Sequence, residues 1–457
     1  MWKLTDQGWI DRRVHRRVAL QAGLLGLGSF SLSDLLRLQA AGAAKNTGKS
    51  VILIWLDGGP SQLESYDPKP DAPPEFRGPF GTTATNVPGI FLSELMEQQA
   101  KIADKLCFVR SVHHGTGDHF AGAHWMLTGR FGATSVSLHA RYPSFGACIS
   151  KLCGPRQSGL PAYVGLPAAE SVYLFPGYHG AAYLGGAYNP FDVDTESKYL
   201  HHSYKSNIGL PKMFAGAAQV DVDRLRSRGQ LREQLDLIRR EVDQKRSMDS
   251  LDRFQQQAVG MMADGRAATA FDITKESPET VERYGDNPWG RYTLMARRLV
   301  EAGVTFVTVD MPHWDHHSSL VEGHAPNMRA MDRAVAALVS DLSERNLLDQ
   351  TLVVVMGEFG RTPKVNTGQP GIPIPGRDHW GDAISVMLAG GGLRGGQVVG
   401  QTNARAEHPI DRPLEPHDIL ATIYHVMGVD PRVAFPDFAG RPIPVLSAGE
   451  PIRELVG

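Results

Sequence analysis

Cysteine is scarce in this chain: only Cys107, Cys148 and Cys153 occur among 457 residues. Three thiols make no disulfide framework, and Cys107, inside an apolar run, reads as a core residue. Cys148 and Cys153 either pair or stay reduced, and their spacing does not decide which. Excess charge is equally lacking, with 47 Lys+Arg against 49 Asp+Glu. That balance excludes a global field directed at nucleic acid or an anionic membrane. Beyond the N-terminal stretch no run approaches the roughly 20 uninterrupted apolar residues of a membrane span, so none is expected in the mature protein. Internal repeats and low-complexity segments are absent too. What the chain has is length enough for a large core. Its 49 glycines and 30 prolines suit a scaffold with many loops at its strand ends.

The N-terminus carries Arg12-Arg13 and Arg16-Arg17, then a moderately apolar stretch from Val18 to about Leu38, then Ala41-Gly42-Ala43. Paired arginines before such a segment and a small-residue cleavage site resemble a twin-arginine export signal. The plainer alternative is an amphipathic helix, since Ser29, Ser31, Ser33 and Asp34 interrupt the run. Residues 1–45 are accordingly expected to direct export to the periplasm or cell envelope, and 46–457 to form one α/β domain.

From Ser50 onward apolar runs alternate with helical stretches. Strands are expected at 51–56, 106–112, 304–309, 351–356 and 384–389, and helices at 92–104, 119–128, 291–302, 329–345 and 416–427. This alternation predicts a three-layer α/β/α sandwich with a mainly parallel sheet. Leu231, Leu235, Ile238 and Val242 recur at helical spacing within a charged stretch, so about 211–285 reads as a helical insertion. Residues 155–205, rich in Tyr, Gly and Pro, read as long loops.

Two of the apolar runs end in a carboxylate followed by glycine nearby: Val51 to Leu56 before Asp57-Gly58-Gly59, and Leu352 to Met356 before Gly357-Glu358-Phe359-Gly360. Strand ends of open α/β sheets are where ligands bind. The segment from Asp310 through His313-Trp314-Asp315-His316-His317 follows the 304–309 strand and offers nitrogen and oxygen ligands together. Not every histidine there is a ligand; Asp315 and His317 are favoured, with His313 and His316 left to support them or touch substrate. Gly376-Arg377-Asp378-His379-Trp380 adds His379. A divalent-metal site from Asp57, Asp315, His317, Glu358 and His379 follows, for one or two ions (Zn, Mn or Ca). Arg361 reads either as an ion-pair partner of Glu358 or, with Arg377, as a clamp for an anionic ester. His113 to Arg130 reads as a loop and a helix ending at Gly129, with its N-terminus at the same strand edge.

These residues resemble the alkaline phosphatase and sulfatase superfamily, and more closely the exported, sulfatase-like family DUF1501 of planctomycete-type bacteria. The matching stretches are Trp55 to Pro60, His124 to Gly129, Trp314 to His317, Gly357 to Pro363, and Gly376 to Trp380 continuing through Leu388 to Gly396. The resemblance implies a hydrolase of sulfate or phosphate esters, with sulfated polysaccharides among its expected substrates. It also exposes departures. Sulfatases carry a modified cysteine, and alkaline phosphatases a serine, ten residues before the glycine of the matching helix end; here that position, counted back from Gly129, is His119. The superfamily's Asp-His-Gly strand end stands here as Glu358-Phe359-Gly360. A formylglycine sulfatase is therefore not expected. His119 becomes the candidate nucleophile, proton carrier or ligand, with Thr116 the weaker nucleophile. The rival expectation is a non-catalytic, metal-stabilised carbohydrate- or protein-binding component of the envelope.

Overall fold

The structure, a computed structural model, describes residues 44–45, 47–132, 141–169, 178–194, 201–203, 208, 211, 214, 261 and 265–457. Its centre is an eight-stranded sheet: β1 (Ser50–Leu56), β2 (Leu106–Val112), β3 (Tyr163–Leu166), β4 (Phe191–Asp192), β5 (Phe306–Met311), β6 (Thr351–Met356), β7 (Ile384–Gly390) and β8 (Gln397–Val399). The order across the sheet is β8-β2-β7-β6-β1-β5-β3-β4. Seven strands run one way, and β7 is antiparallel to both β2 and β6. Every residue of β1, β5, β6 and β7 is buried, as continuous apolar runs require when helices cover both faces.

One layer holds α1 (His119–Thr128), α2 (Phe145–Cys153) and α6 (Pro416–Val426), packed on Val51, Leu53 and Trp55 of β1. The other holds α3 (Pro278–Tyr284), α4 (Pro288–Ala302) and α5 (Ala325–Glu344), packed on Ile52, Ile54 and Leu56. Alternate residues of one strand thus feed two cores, at about 1.5–3 kcal/mol for each large apolar side chain. This is the expected α/β/α sandwich. Among the described residues no helix is long and apolar enough to cross a membrane.

The expected helix at 92–104 is broken instead. Phe91–Ser93 pairs as a strand with Thr82–Ala84, and the helix proper is only Glu97–Ala100. The cause is tertiary: the carboxylate of Asp332, on α5, accepts from the amides of Gln98 and Gln99 at 2.8 Å each and fixes where the turn begins. Within 155–205, β3 and β4 are strands that the loop reading missed. The amphipathic face at Leu231 to Val242, and the export signal, lie outside the described residues.

Buried histidines make the fold acid-labile. Burial pushes His179, whose ring edge meets Trp55, down to about 3 and His124 down to about 4. Both are neutral when folded and take up a proton when unfolded below pH 6.5. Their stabilisation is therefore complete above about 6.5 and is lost as pH falls toward 4 and then 3. Near pH 5 each adds about 1.4 kcal/mol per pH unit to the slope of stability. His179→Asn is expected to lower that slope by about this amount in urea unfolding at pH 7, 6 and 5; an unchanged slope refutes the assignment.

Candidate metal centre

The site lies where β1, β5 and β6 end and β7 begins. Asp57 follows β1 directly and is fully buried. Gly58 has φ +111°, and a Cβ there would meet the backbone nitrogen of Asp315 at 2.6 Å, so only glycine lets the two loops touch. Glu358, two residues past β6, is also fully buried. Its Oε1 accepts from the Gly58 amide at 2.9 Å, which ties the two strand ends together.

α1 brings the first imidazole. Asp118 caps it, accepting from the Ala121 amide at 2.9 Å, and Gly129 ends it in the left-handed region at φ +68°. His119 therefore stands in the first turn, facing the sheet edge. Gly122 lets the helix approach, because a Cβ there would lie 2.9 Å from the Glu358 carbonyl oxygen.

Asp315 is the hub. Three Nε2 atoms converge on its carboxylate: His379 at 2.8 Å, His317 at 3.1 Å and His119 at 3.3 Å. Each of these rings is held from behind through Nδ1. His379 donates to the Gly117 carbonyl at 2.8 Å. His317 meets Asp378 at 2.6 Å and His119 meets Glu358 at 2.7 Å. An imidazole whose Nδ1 is engaged by an oxygen acceptor and whose Nε2 faces a shared centre has the arrangement of a metal ligand. The ligand atoms of His119, Asp315 and His379 all lie within 4.8 Å of one another. Burial works against a charged His119, but its bonds to Asp315 and Glu358 outweigh that and push it up to about 10. Burial likewise opposes charge on Asp315, yet the three histidines and then Arg361 hold it far below the usual carboxylate range.

Beside this group sits a second charge problem, at Asp310 near the end of β5. Strand register sets it opposite Trp55, on the α1 side of the sheet. Among the described residues neither of its oxygens has a hydrogen-bond partner, and Glu358 Oε2 has none. Burial first, then the charges of Asp57 and Glu358, drive the Asp310 carboxyl well above its ordinary range. A cation would offset this buried charge, although among the described residues only His119, Asp315 and His379 bring their ligand atoms into one tight group. Sequence reading left Asp310 as the mere start of a loop segment. The available signal was an ionisable residue inside an otherwise apolar strand.

The other expected residues are distributed differently. Arg361 is 1% exposed and pairs with Asp315 at 2.9 Å, not with Glu358. Its remaining N–H groups donate to the carbonyls of Gly58, Gly59, Trp314 and Arg377. Arg377 is fully buried on Glu64 at 2.7 Å and on the carbonyls of Phe76, Thr362 and Pro363. Both arginines expected to clamp an anion are thus used in joining loops. Thr116 is half-buried, and its hydroxyl accepts from the Asp118 amide at 3.2 Å. His316 packs on Gly323 and His324, while His313 lies 5.2 Å from the ring of His201.

Similarity to solved structures is wide and shallow. PsFucS1 sulfatase from Pseudoalteromonas sp. is 14% identical, with 87% of this chain and 70% of that one covered at a TM-score of 0.36. A protein in the alkaline phosphatase superfamily from Vibrio parahaemolyticus is 9% identical, with 84% and 67% covered at 0.41. The phosphonate monoester hydrolase SpPMH from Silicibacter pomeroyi is 12% identical, with 89% and 76% covered at 0.35. No curated protein matches the sequence. The family described as "Protein of unknown function (DUF1501)" matches residues 48–456, and the chain belongs to it.

Proposed function

We propose that this protein is a metal-dependent hydrolase of sulfate or phosphate esters that works without a formylglycine or serine nucleophile. The observation that carries the reading is the convergence of three Nε2 atoms on Asp315, each ring backed through Nδ1. His119, Asp315 and His379 would hold one divalent cation, and Asp57, Asp310 and Glu358 supply the negative charge for a second. When bound, such ions polarise the ester oxygens and stabilise charge that develops on them.

The residues themselves divide the remaining work. Arg361 keeps Asp315 ionised and oriented. The Gly58 amide and His119 fix Glu358 Oε1. His317 lies outside the tightest ligand group and is the most exposed of the three rings, at 24%. Its bond to Asp315 first, and Asp378 behind it, raise its pKa and favour a protonated ring. It is therefore the residue suited to protonate a leaving alkoxide. His119, the proton carrier of the sequence reading, is better used as a ligand. On the sequence resemblance alone, we also propose a sulfated polysaccharide as the ester's carrier and export as the route to it.

The absence of a hydroxyl or thiol at the His119 position favours one rival, a metal-stabilised binding protein. Metal analysis of purified protein, followed by aryl sulfate and aryl phosphate assays with Zn²⁺, Mn²⁺ or Ca²⁺, separates the readings. One or two bound ions with turnover are expected, and His317→Ala is expected to reduce turnover about a hundredfold with metal content unchanged. Metal-replete protein without turnover leaves the binding reading; metal-free protein removes both.

A further inference from the structure

Next to the metal centre opens a groove of about 860 Å³ that shares only Asp378 with the proposed chemistry. Its apolar surface includes Phe76 and Trp380, with Pro363 and Val365 between the polar groups. Asp378, Glu407, Lys364 and His408 stand around it. The volume falls within the ordinary range for a small-molecule site. The Trp380 ring is pinned at one edge, where Nε1 donates to the Glu407 carbonyl at 2.8 Å, and the residue is half-buried.

The two carboxylates are balanced by Lys364 and by the Arg405 guanidinium, which lies 4.6 Å from the Phe76 ring centroid, so the groove has no strong field of either sign. That is a poor seat for a sulfate or phosphate group. It suits a neutral ring with one apolar face and hydroxyls at its edge, for which an aromatic face and a rim of mixed donors and acceptors are the complementary surface. Asp378 belongs to the groove and to the reaction centre at once, because its Oδ1 meets His317 Nδ1 at 2.6 Å. We propose that this groove binds a glycosyl unit on the alcohol side of the ester, with Trp380 as its stacking platform. The proposal rests on the hydrolase reading for the word "ester" but not for the binding itself.

Calorimetric titration with neutral galactan and glucan tetrasaccharides, compared with their sulfated forms, tests it on the full chain. Wild-type protein is expected to bind at least one neutral tetrasaccharide. Trp380→Ala should weaken it about tenfold or more, and Trp380→Phe should restore most of it, since stacking survives in the phenyl ring. Absence of binding to every neutral oligosaccharide, or equal binding by Trp380→Ala, overturns the proposal. Aryl-ester turnover is scored separately. Sugar binding without turnover removes the hydrolase and keeps the groove; turnover without sugar binding does the reverse.

Discussion

Asp315→Asn is expected to empty the metal centre and abolish turnover together. The carboxylate faces His119, His317, His379 and Arg361 at once. Asparagine keeps its shape but replaces an acceptor oxygen with an N–H donor and removes the charge. Metal content should fall from stoichiometric to trace. Turnover on an aryl ester should drop about a thousandfold, which is ~4 kcal/mol in the barrier. The fold should survive, weakened by about 1–3 kcal/mol because buried Arg361 loses an ionised acceptor. Elemental analysis, kinetics and denaturation in chelator read these three effects separately. Retained metal would show that Asp315 is no ligand, whatever happens to the rate.

The second large effect concerns stability. Arg377 is fully buried and Glu64 is 1% exposed, so their 2.7 Å pair is shielded from water. Arg377→Met leaves Glu64 as an uncompensated buried charge and strips donors from the carbonyls of Phe76, Thr362 and Pro363. Loss of one partner of such a pair is worth about 3–5 kcal/mol. Chemical denaturation should report that loss, and the double variant Glu64→Met, Arg377→Met should be destabilised by less than the sum of its singles. If Arg377→Met instead keeps full stability and raises KM for an anionic ester, the clamp expected from the sequence is restored.

The contrast between these two residues marks how far the sequence could be read. Asp57, Asp315, Glu358 and His379 were legible because each lies close to the end of an apolar, β-branched run or follows a glycine-bounded loop beside one. Strand ends share an edge in a parallel sheet, so four distant segments could be brought together on paper. The five long strands were legible for the same reason. Arg377 was not, because its burial depends on how the 362–363 loop and the end of the short Pro74–Arg77 helix approach it, and no local pattern encodes that distance. Asp310 was missed although it stands in plain view. Its meaning comes from strand register and from the charges of Asp57 and Glu358, both tertiary facts. The 92–104 stretch failed similarly, since Asp332 sets the start of that turn from 233 and 234 residues away in the chain.

The reversed direction of β7 bears on when the site can exist at all. Because β7 opposes its neighbours, the loop entering it reaches the same edge that the other strands reach on leaving, and this is how His379 arrives beside Asp315. The same strand fills the gap between β2 and β6. A growing polypeptide that has not yet reached His379 therefore lacks both its last imidazole and the strand between β2 and β6. On the proposed reading, ion capture waits until synthesis has passed His379 and β7 has paired, and metal occupancy becomes a maturation marker that separates molecules with this strand in place from those without it.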